Sequence, residues 1–483
     1  MDASGRGLYD GARDAFPVDS VAAISEPPVR EQAWRNGLDW RRFARGIERC
    51  GTAAVQMKAI RIGLCVIFAF SVLAHGVVEV WSESLLEIGA SVLLVLWAVL
   101  AYRNSEIEIH WNPLNWPLLG IIGIGLLQLT LHWSANPFFT RVELLRFSSY
   151  FIIFFLTAQA YREREDLVKL AWFLVILGFS VSLLGIIQHF TSQDTIYWVR
   201  HLSQSVDVFG PYVNRNHFAG FAELVAPVGL ALLIFRGVRR DLFSMAGLLT
   251  IIPVGALILA GSRGGIVCFA FEVAVLALLA RTRKGLRGAT MIAVAFVGLA
   301  SIALIVWLGA GTAIERFSKT RLGDVPLSRR VSMFRGAEHI FLDHPVKGVG
   351  VGTIVTVFPG YDTGYDGLVV DHVHNDYIEA LAETGILGGL CGTAFLWLLF
   401  TGARRSFAAD QGHFSTALHA GAIAAVCGIL LHSFVDFNLH IPSNALLFLL
   451  QAYLAASPPL PSGNVMPRRR IRGHEHVLAV DER

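Results

Sequence analysis

The chain alternates between long apolar runs and short polar joints. Runs long enough to cross a bilayer as helices fall at 62–81, 85–102, 114–132, 145–161, 167–190, 216–235, 243–260, 265–281, 289–310, 385–403, 416–435 and 442–456. The pattern predicts an all-α polytopic membrane protein of about twelve transmembrane helices. Residues 1–58 form a polar, basic tail, 59–310 the first nine helices, 311–377 one large hydrophilic loop, 378–456 the last three helices, and 457–483 a second basic tail. Loops of that size are uncommon unless they have a function, which draws attention to 311–377.

Composition agrees with this. Of 483 residues 54% are hydrophobic and 16% charged, against roughly a quarter charged in a soluble globular chain. The mean hydropathy is +0.55. With the N-terminus inside, Lys and Arg collect in the predicted inner joints: Arg103; Arg162, Arg164 and Lys169; Arg236, Arg239 and Arg240; Arg281, Arg283, Lys284 and Arg287; Arg404 and Arg405; and Arg468, Arg469, Arg470 and Arg472 in the tail. The positive-inside rule then puts both termini in the cytoplasm and the large loop outside. In the first tail, Trp34, Trp40 and Phe43 interleave with Arg35, Arg41, Arg42, Arg45 and Arg49, as in an interfacial helix on anionic lipid or an ordinary basic flank to a first span. The net charge of +3 is spread over short loops and implies no nucleic-acid partner. The five cysteines lie mostly in apolar runs without a CxxC spacing and read as small core residues. The first 58 residues lack the early apolar segment of a signal peptide.

Candidate chemistry gathers on the predicted outer side. The stretch from Asp371 to Gly389 concentrates His372, His374, Asn375, Asp376, Glu379 and Glu383 just before an apolar run. Asp376 followed by Glu379 has capping-box spacing, so a helix is predicted to start there with His374 just outside it. A free helix N-terminus suits an anion, and a histidine near its ordinary pKa suits general-base work. Arg263, between Gly261 and Gly265 in a short outer turn, offers a guanidinium that matches phosphate oxygens bidentately, or else snorkels to headgroups. Arg329, Arg330 and Arg335 concentrate positive charge in the loop, and Arg330 to His344, bearing Val331, Phe334, Ile340 and Phe341, is predicted as an amphipathic helix that stops before Pro345. Gly348 to Gly352 reads as a connector or a backbone contact to phosphate.

Within spans, Glu223 and Glu272 need a partner or a cavity; Glu272, two turns from Arg263, is expected to face the same cleft. His432, Asp436 and His440 line the site or bond between helices. A rival reading takes His339, His344, His372 and His374 with Asp343 and Asp371 as metal ligands, but no pair has the helical HExxH spacing. The expectation is no metal and no other cofactor.

These residues resemble the O-antigen ligase and O-antigen polymerase superfamily of integral membrane glycosyltransferases. The family's motif of His, then Asn, Ser or Gln, nine residues, and Gly-x-x-Gly is met by His374 and Asn375 followed by Gly385 and Gly388. Its Arg-x3-Leu motif is approached at Arg263, with Val267 in place of Leu. Its second loop arginine aligns with Arg330, and the segments 214–218 and 432–444 also look familial. The similarity spans roughly 62–456.

The resemblance implies a GT-C-like helical fold with one periplasmic loop in the bacterial inner membrane. It also implies metal-independent, inverting transfer of a glycan from undecaprenyl pyrophosphate to a glycan or lipid acceptor hydroxyl. His374, Arg263 and Arg330 would then be catalytic, with Asn375, Arg215, Arg335, Glu379, Glu383 and His372 supporting substrate binding. Surface-polysaccharide polymerase or O-antigen ligase is the leading expectation. The alternatives are a protein O-oligosaccharyltransferase of the same superfamily and a flippase of lipid-linked sugars. The chain shows no internal repeat of the kind transporters carry.

Overall fold

The computed structural model describes residues 40–104, 109–192, 195–201, 208–283, 288, 325–410 and 412–459. The expected span at 289–310, the inner residues Lys284 and Arg287, loop residues 311–324, Trp34 and Arg35, and the arginines at 468–472 lie outside them. The chain divides into two units, residues 1–55 and 56–483. Of the first, only the backbone from Trp40 is described, and it is helical.

Among the described residues there are thirteen α-helices and no named strand: α1 (Trp40–Leu73), α2 (Val80–Asn104), α3 (Asn115–Thr130), α4 (Pro137–Ala160), α5 (Arg164–Thr191), α6 (Arg215–Ile234), α7 (Phe243–Ala260), α8 (Arg263–Arg281), α9 (Leu327–Asp343), α10 (Ile354–Val357), α11 (Asp376–Ala409), α12 (His413–His432) and α13 (Pro442–Ala456). Seven helical stretches are long and apolar enough to cross a membrane, those of α2, α5, α6, α7, α8, α11 and α12. The protein is thus a multi-pass membrane protein, with seven spans by length and hydropathy among the described residues, which leave out the expected span at 289–310. The apolar α3 and α13 are shorter, at 16 and 15 residues.

Helices and apolar runs differ at several boundaries. Helix α1 ends at Leu73 and α2 begins at Val80, where the runs were 62–81 and 85–102, so residues 74–79 form the joint between them. Helix α4 begins at Pro137, eight residues before the apolar run, because its opening turns are charged. Arg146 there is neutralised by Glu83 at 2.6 Å and Glu143 at 2.5 Å.

Helix α6 is the centre of the second unit: its span is wholly buried, against α7, α8, α12 and α13. Its interior Pro227 cannot donate to the preceding turn, and neighbouring helices must supply replacement donors. The carbonyl left without that donor is Glu223's; beside it, buried Gln451 of α13 donates Nε2–H to the Leu224 carbonyl at 2.6 Å. Outward-facing apolar side chains on α2, such as Val80, Leu85, Ile88, Val92 and Val95, are exposed, as suits helices bathed in lipid tails.

The segment after residue 324 has a small apolar core of its own. Met333, Ala337 and Ile340 of α9 pack with Val349, Ile354, Phe358, Val370, Val373, Ile378 and Ala382. The helix expected there forms, but Val331 and Phe334 stay exposed while Met333, Ala337 and Ile340 form its buried stripe. Arg329 is no free cation: buried, it is held bidentately by Asp362, with Nη2 to Oδ2 at 2.7 Å.

The glycine-rich stretch 348–352 is a fixed joint. Val349 N donates to Ala382 O and Gly350 N to Glu383 O, both at 3.0 Å, and Gln128 Nε2 donates to the Lys347 and Glu383 carbonyls at 2.8 Å. These contacts require α11 to break at Gly385, where φ is 62° and ψ −161°, a conformation essentially confined to glycine. A Cβ on Gly385 would also run into the Val346 carbonyl. Gly385→Ala is therefore expected to cost about 1–3 kcal/mol from backbone strain alone. Thermal unfolding in detergent is the check, and an unchanged melting temperature would contradict this account.

Candidate active site

Four helix ends meet around one cavity of about 710 Å³, lined by Arg215 and Asn216 at the start of α6, Ser262, Arg263 and Gly264 at the start of α8, Arg330 on α9, and His432 and Asp436 at and after the end of α12. Sequence places these groups far apart; the fold brings three expected arginines to one cavity. The N-terminus of α8 faces the cavity, with Ser262 Oγ capping Gly265 N at 3.2 Å, so its remaining N–H groups and positive dipole end add to the arginines. Arg330 is steadied by donating Nη1–H to the Val435 carbonyl at 2.6 Å.

Asp436, nearly fully buried, links this cavity to His374. Its Oδ1 lies 3.1 Å from His374 Nδ1, and its Oδ2 accepts from Asn216 Nδ2 at 2.8 Å. Burial alone would raise the Asp436 carboxyl, but the His374 hydrogen bond and the imidazoles of His374, His217 and His432 hold it well below the ordinary carboxylate range. An ionised Asp436 fixes the His374 ring with Nδ1 engaged, leaving Nε2 for chemistry. His374 itself has φ of 53°, a left-handed conformation uncommon outside glycine. Its ring meets Phe437 edge-on, 4.9 Å between centroids.

Helix α11 starts where expected, but Asn375 caps it instead of Asp376. The Asn375 side chain accepts from Tyr377 N and Ile378 N at 3.0 and 3.1 Å and donates to the Phe434 carbonyl at 2.9 Å. Asp376 and Glu379 are thereby freed for a second cluster. His440 Nδ1 lies 2.6 Å from Asp376 Oδ1, His372 Nδ1 lies 2.6 Å from Glu379 Oε1, and Val373 N donates to Glu379 Oε2 at 2.8 Å. The cluster ties both flanks of His374 to the turn that carries Asp436.

Burial opposes charging His440, but Glu379 and Asp376 outweigh it and push the imidazole up to about 10. A raised pKa in the fold means that His440 contributes its full stability below its ordinary 6.5 and loses it as pH rises through about 10. The melting temperature of wild type should therefore exceed that of His440→Gln most at pH 6, and the two should converge above pH about 10. A gap independent of pH would rule out this role.

The remaining expected residues divide clearly. Glu383 is buried and accepts from Ile354 N at 3.2 Å, a structural bond beneath the joint. Arg335 does not line the cavity: five residues from Arg330 it points about 140° around the helix, and it is exposed. Glu272 does not face Arg263 either. Nine residues along an α-helix amount to half a turn of net rotation, so it is buried against Gly428 of α12. Glu223 has its partner, with Oε1 2.9 Å from His432 Nδ1.

Of the metal ligands considered, His372 shares a three-donor group with Glu379 and His440, and a second such group joins Glu223, Cys268 and His432. Among the described residues His339 and His344 belong to neither, and Asp343 accepts from the Tyr361 hydroxyl at 2.8 Å. Sequence reasoning singled out Asp436 only as a possible lining residue and did not single out Asn216. The polar segment 214–217 at the very start of an apolar run was the available signal.

A second cavity of about 430 Å³ lies between α3, α4, α11 and α13, lined by apolar groups such as Leu118, Phe147, Leu396 and Phe448 with Asp376 and Tyr377 at its edge.

Residues 248–393 match the family described as O-antigen ligase. That stretch contains Arg263, Arg330, His374 and Asn375; Arg215, Asn216, His432 and Asp436 reach the same place from outside it. A comparison with curated proteins found no match.

Proposed function

We propose that this multi-pass membrane protein, which carries an O-antigen ligase domain, transfers a glycan from a polyprenyl pyrophosphate carrier to an acceptor hydroxyl at the periplasmic face of the bacterial inner membrane. The observation that carries the reading is the convergence of Arg215, Arg263 and Arg330 on one cavity whose wall also holds Asp436, the partner of His374.

In this reading the pyrophosphate occupies the arginine cavity. The acceptor hydroxyl lies against His374 Nε2, which takes its proton as the oxygen attacks the anomeric carbon. The new glycosidic C–O bond forms as the bond from the anomeric carbon to the phosphate oxygen breaks, and polyprenyl pyrophosphate leaves with the electron pair. A single displacement inverts the anomeric centre. Asp436 stabilises the imidazolium formed at His374, and the guanidiniums meet the charge that grows on the leaving group. The apolar second cavity offers room for part of a prenyl or acyl chain. Protonic and guanidinium groups supply each of these roles, so transfer is expected to proceed without a metal.

Purified protein supplied with a polyprenyl pyrophosphate-linked glycan and an acceptor tests the reading directly, with and without EDTA. Transfer that survives chelation supports it. Transfer lost to EDTA and restored by a divalent ion would replace it with metal catalysis at one of the two donor groups. Loss of long polymer in a deletion strain, with single repeats left on the acceptor, would identify a polymerase; loss of all glycan from the lipid core would identify a ligase.

A further inference from the structure

We propose that His432 is a donor-binding residue, hydrogen-bonding through Nε2 to a pyrophosphate oxygen while Glu223 holds its Nδ1. This deepens the reading above and rests on the arginine cavity being the pyrophosphate site.

His432 is the last residue of α12 and lines the cavity together with Arg263 and Arg330. Its side chain is 1% exposed and that of Glu223 is not exposed at all, so the pair is a built feature of the interior. Nδ1 is committed to Glu223 Oε1 at 2.9 Å, which fixes the ring and turns Nε2 the other way. On that side lies Gly264, in the first turn of α8: a Cβ there would stand 2.9 Å from Nε2. Both residues line the cavity, and any side chain at 264 would take up the space beside Nε2.

Two helix ends reinforce the geometry. The negative end of α12 favours a cation at His432, and the positive end of α8 favours an anion beside it. With a carboxylate on one side and a phosphate on the other, the imidazole carries a proton on each nitrogen and donates both. The buried Glu223 then has a purpose beyond packing: it orients the ring and balances its charge.

Binding of farnesyl pyrophosphate to the full-length protein in detergent is the test, read by calorimetry beside the thermal stability of each variant. His432→Leu is expected to weaken binding about 10-fold or more, the scale of a hydrogen bond to a charged group. His432→Gln, which keeps an N–H donor near the Nε2 position, should recover most of that loss. Gly264→Ala places a Cβ 2.9 Å from Nε2 and occupies the space on that side of the ring, and should also weaken binding; it decides the matter if the His432 variants do not fold. Wild-type affinity in a folded His432→Leu or in Gly264→Ala would overturn the proposal while leaving the arginine cavity in place. Failure of wild type itself to bind, with Arg263→Ala no different, would instead bring down the pyrophosphate reading and this inference with it. Binding abolished by EDTA and restored by zinc would reassign Glu223, Cys268 and His432 to a metal and overturn the proposal by another route.

Discussion

His374→Ala is expected to lower the rate of glycan transfer by about 10²–10⁴-fold, the usual share of a positioned general base, while affinity for the pyrophosphate donor changes little. The separation follows from the geometry: His374 does not line the arginine cavity but meets it through Asp436. Single-turnover transfer with saturating donor, alongside donor binding, measures both quantities. Asp436→Asn is a sharper companion. It preserves shape but removes the charge that orients and stabilises the imidazole, and should lose much of the same factor. Transfer by His374→Ala within about threefold of wild type would remove the histidine from the chemistry.

The second large effect concerns the leaving group. Arg263→Ala and Arg330→Ala should each reduce turnover by about 10²–10³-fold, as loss of one charge-stabilising donor does elsewhere, and should weaken donor binding as well. Lysine at either position should restore only part of the loss, because an ammonium cannot make the two parallel bonds of a guanidinium. Arg335→Ala is the internal control: it shares the helix and the charge of Arg330 but not its direction, so transfer should be nearly unchanged. Equal losses at 330 and 335 would mean that loop charge in general, and not this cavity, governs the rate.

How much could be read from sequence depended on whether the information was local. The run at 243–260 and that at 442–456 have the bounds of α7 and α13, because Gly261 at φ 69° and Pro442 mark their ends. The start of helix α4 was misread because Thr140, Arg141 and Glu143 look like loop until Glu143 is seen to pair with Arg146, inside the expected run. At the site, His374, Asn375, Gly385 and Gly388 were legible as a motif, and the fold supplies the reason for the glycine: the backbone break at 385 lets residues 346–350 dock.

What sequence could not convey was pairing across distance. Asp436 lies 62 residues from His374 and 220 from Asn216, and no periodicity encodes such contacts. Rotation around a helix was the other blind spot. Counting turns put Glu272 beside Arg263, and shared loop charge grouped Arg335 with Arg330; the angle between the residues puts each on a different face.

The dependence of the site on Asp436 has a consequence for biogenesis. Chains emerge from the ribosome N-terminus first, and early segments can settle before later ones exist. By the time α11 is complete, Arg215, Arg263, Arg330 and His374 have all been synthesised, yet the carboxylate that orients His374 is still to come. It arrives with the turn before the final helix, along with His432 and His440. On the function proposed above, a nascent or truncated chain holds Arg215, Arg263, Arg330 and His374 without the carboxylate that orients the histidine, and becomes competent only once α12, α13 and the turn between them are in place.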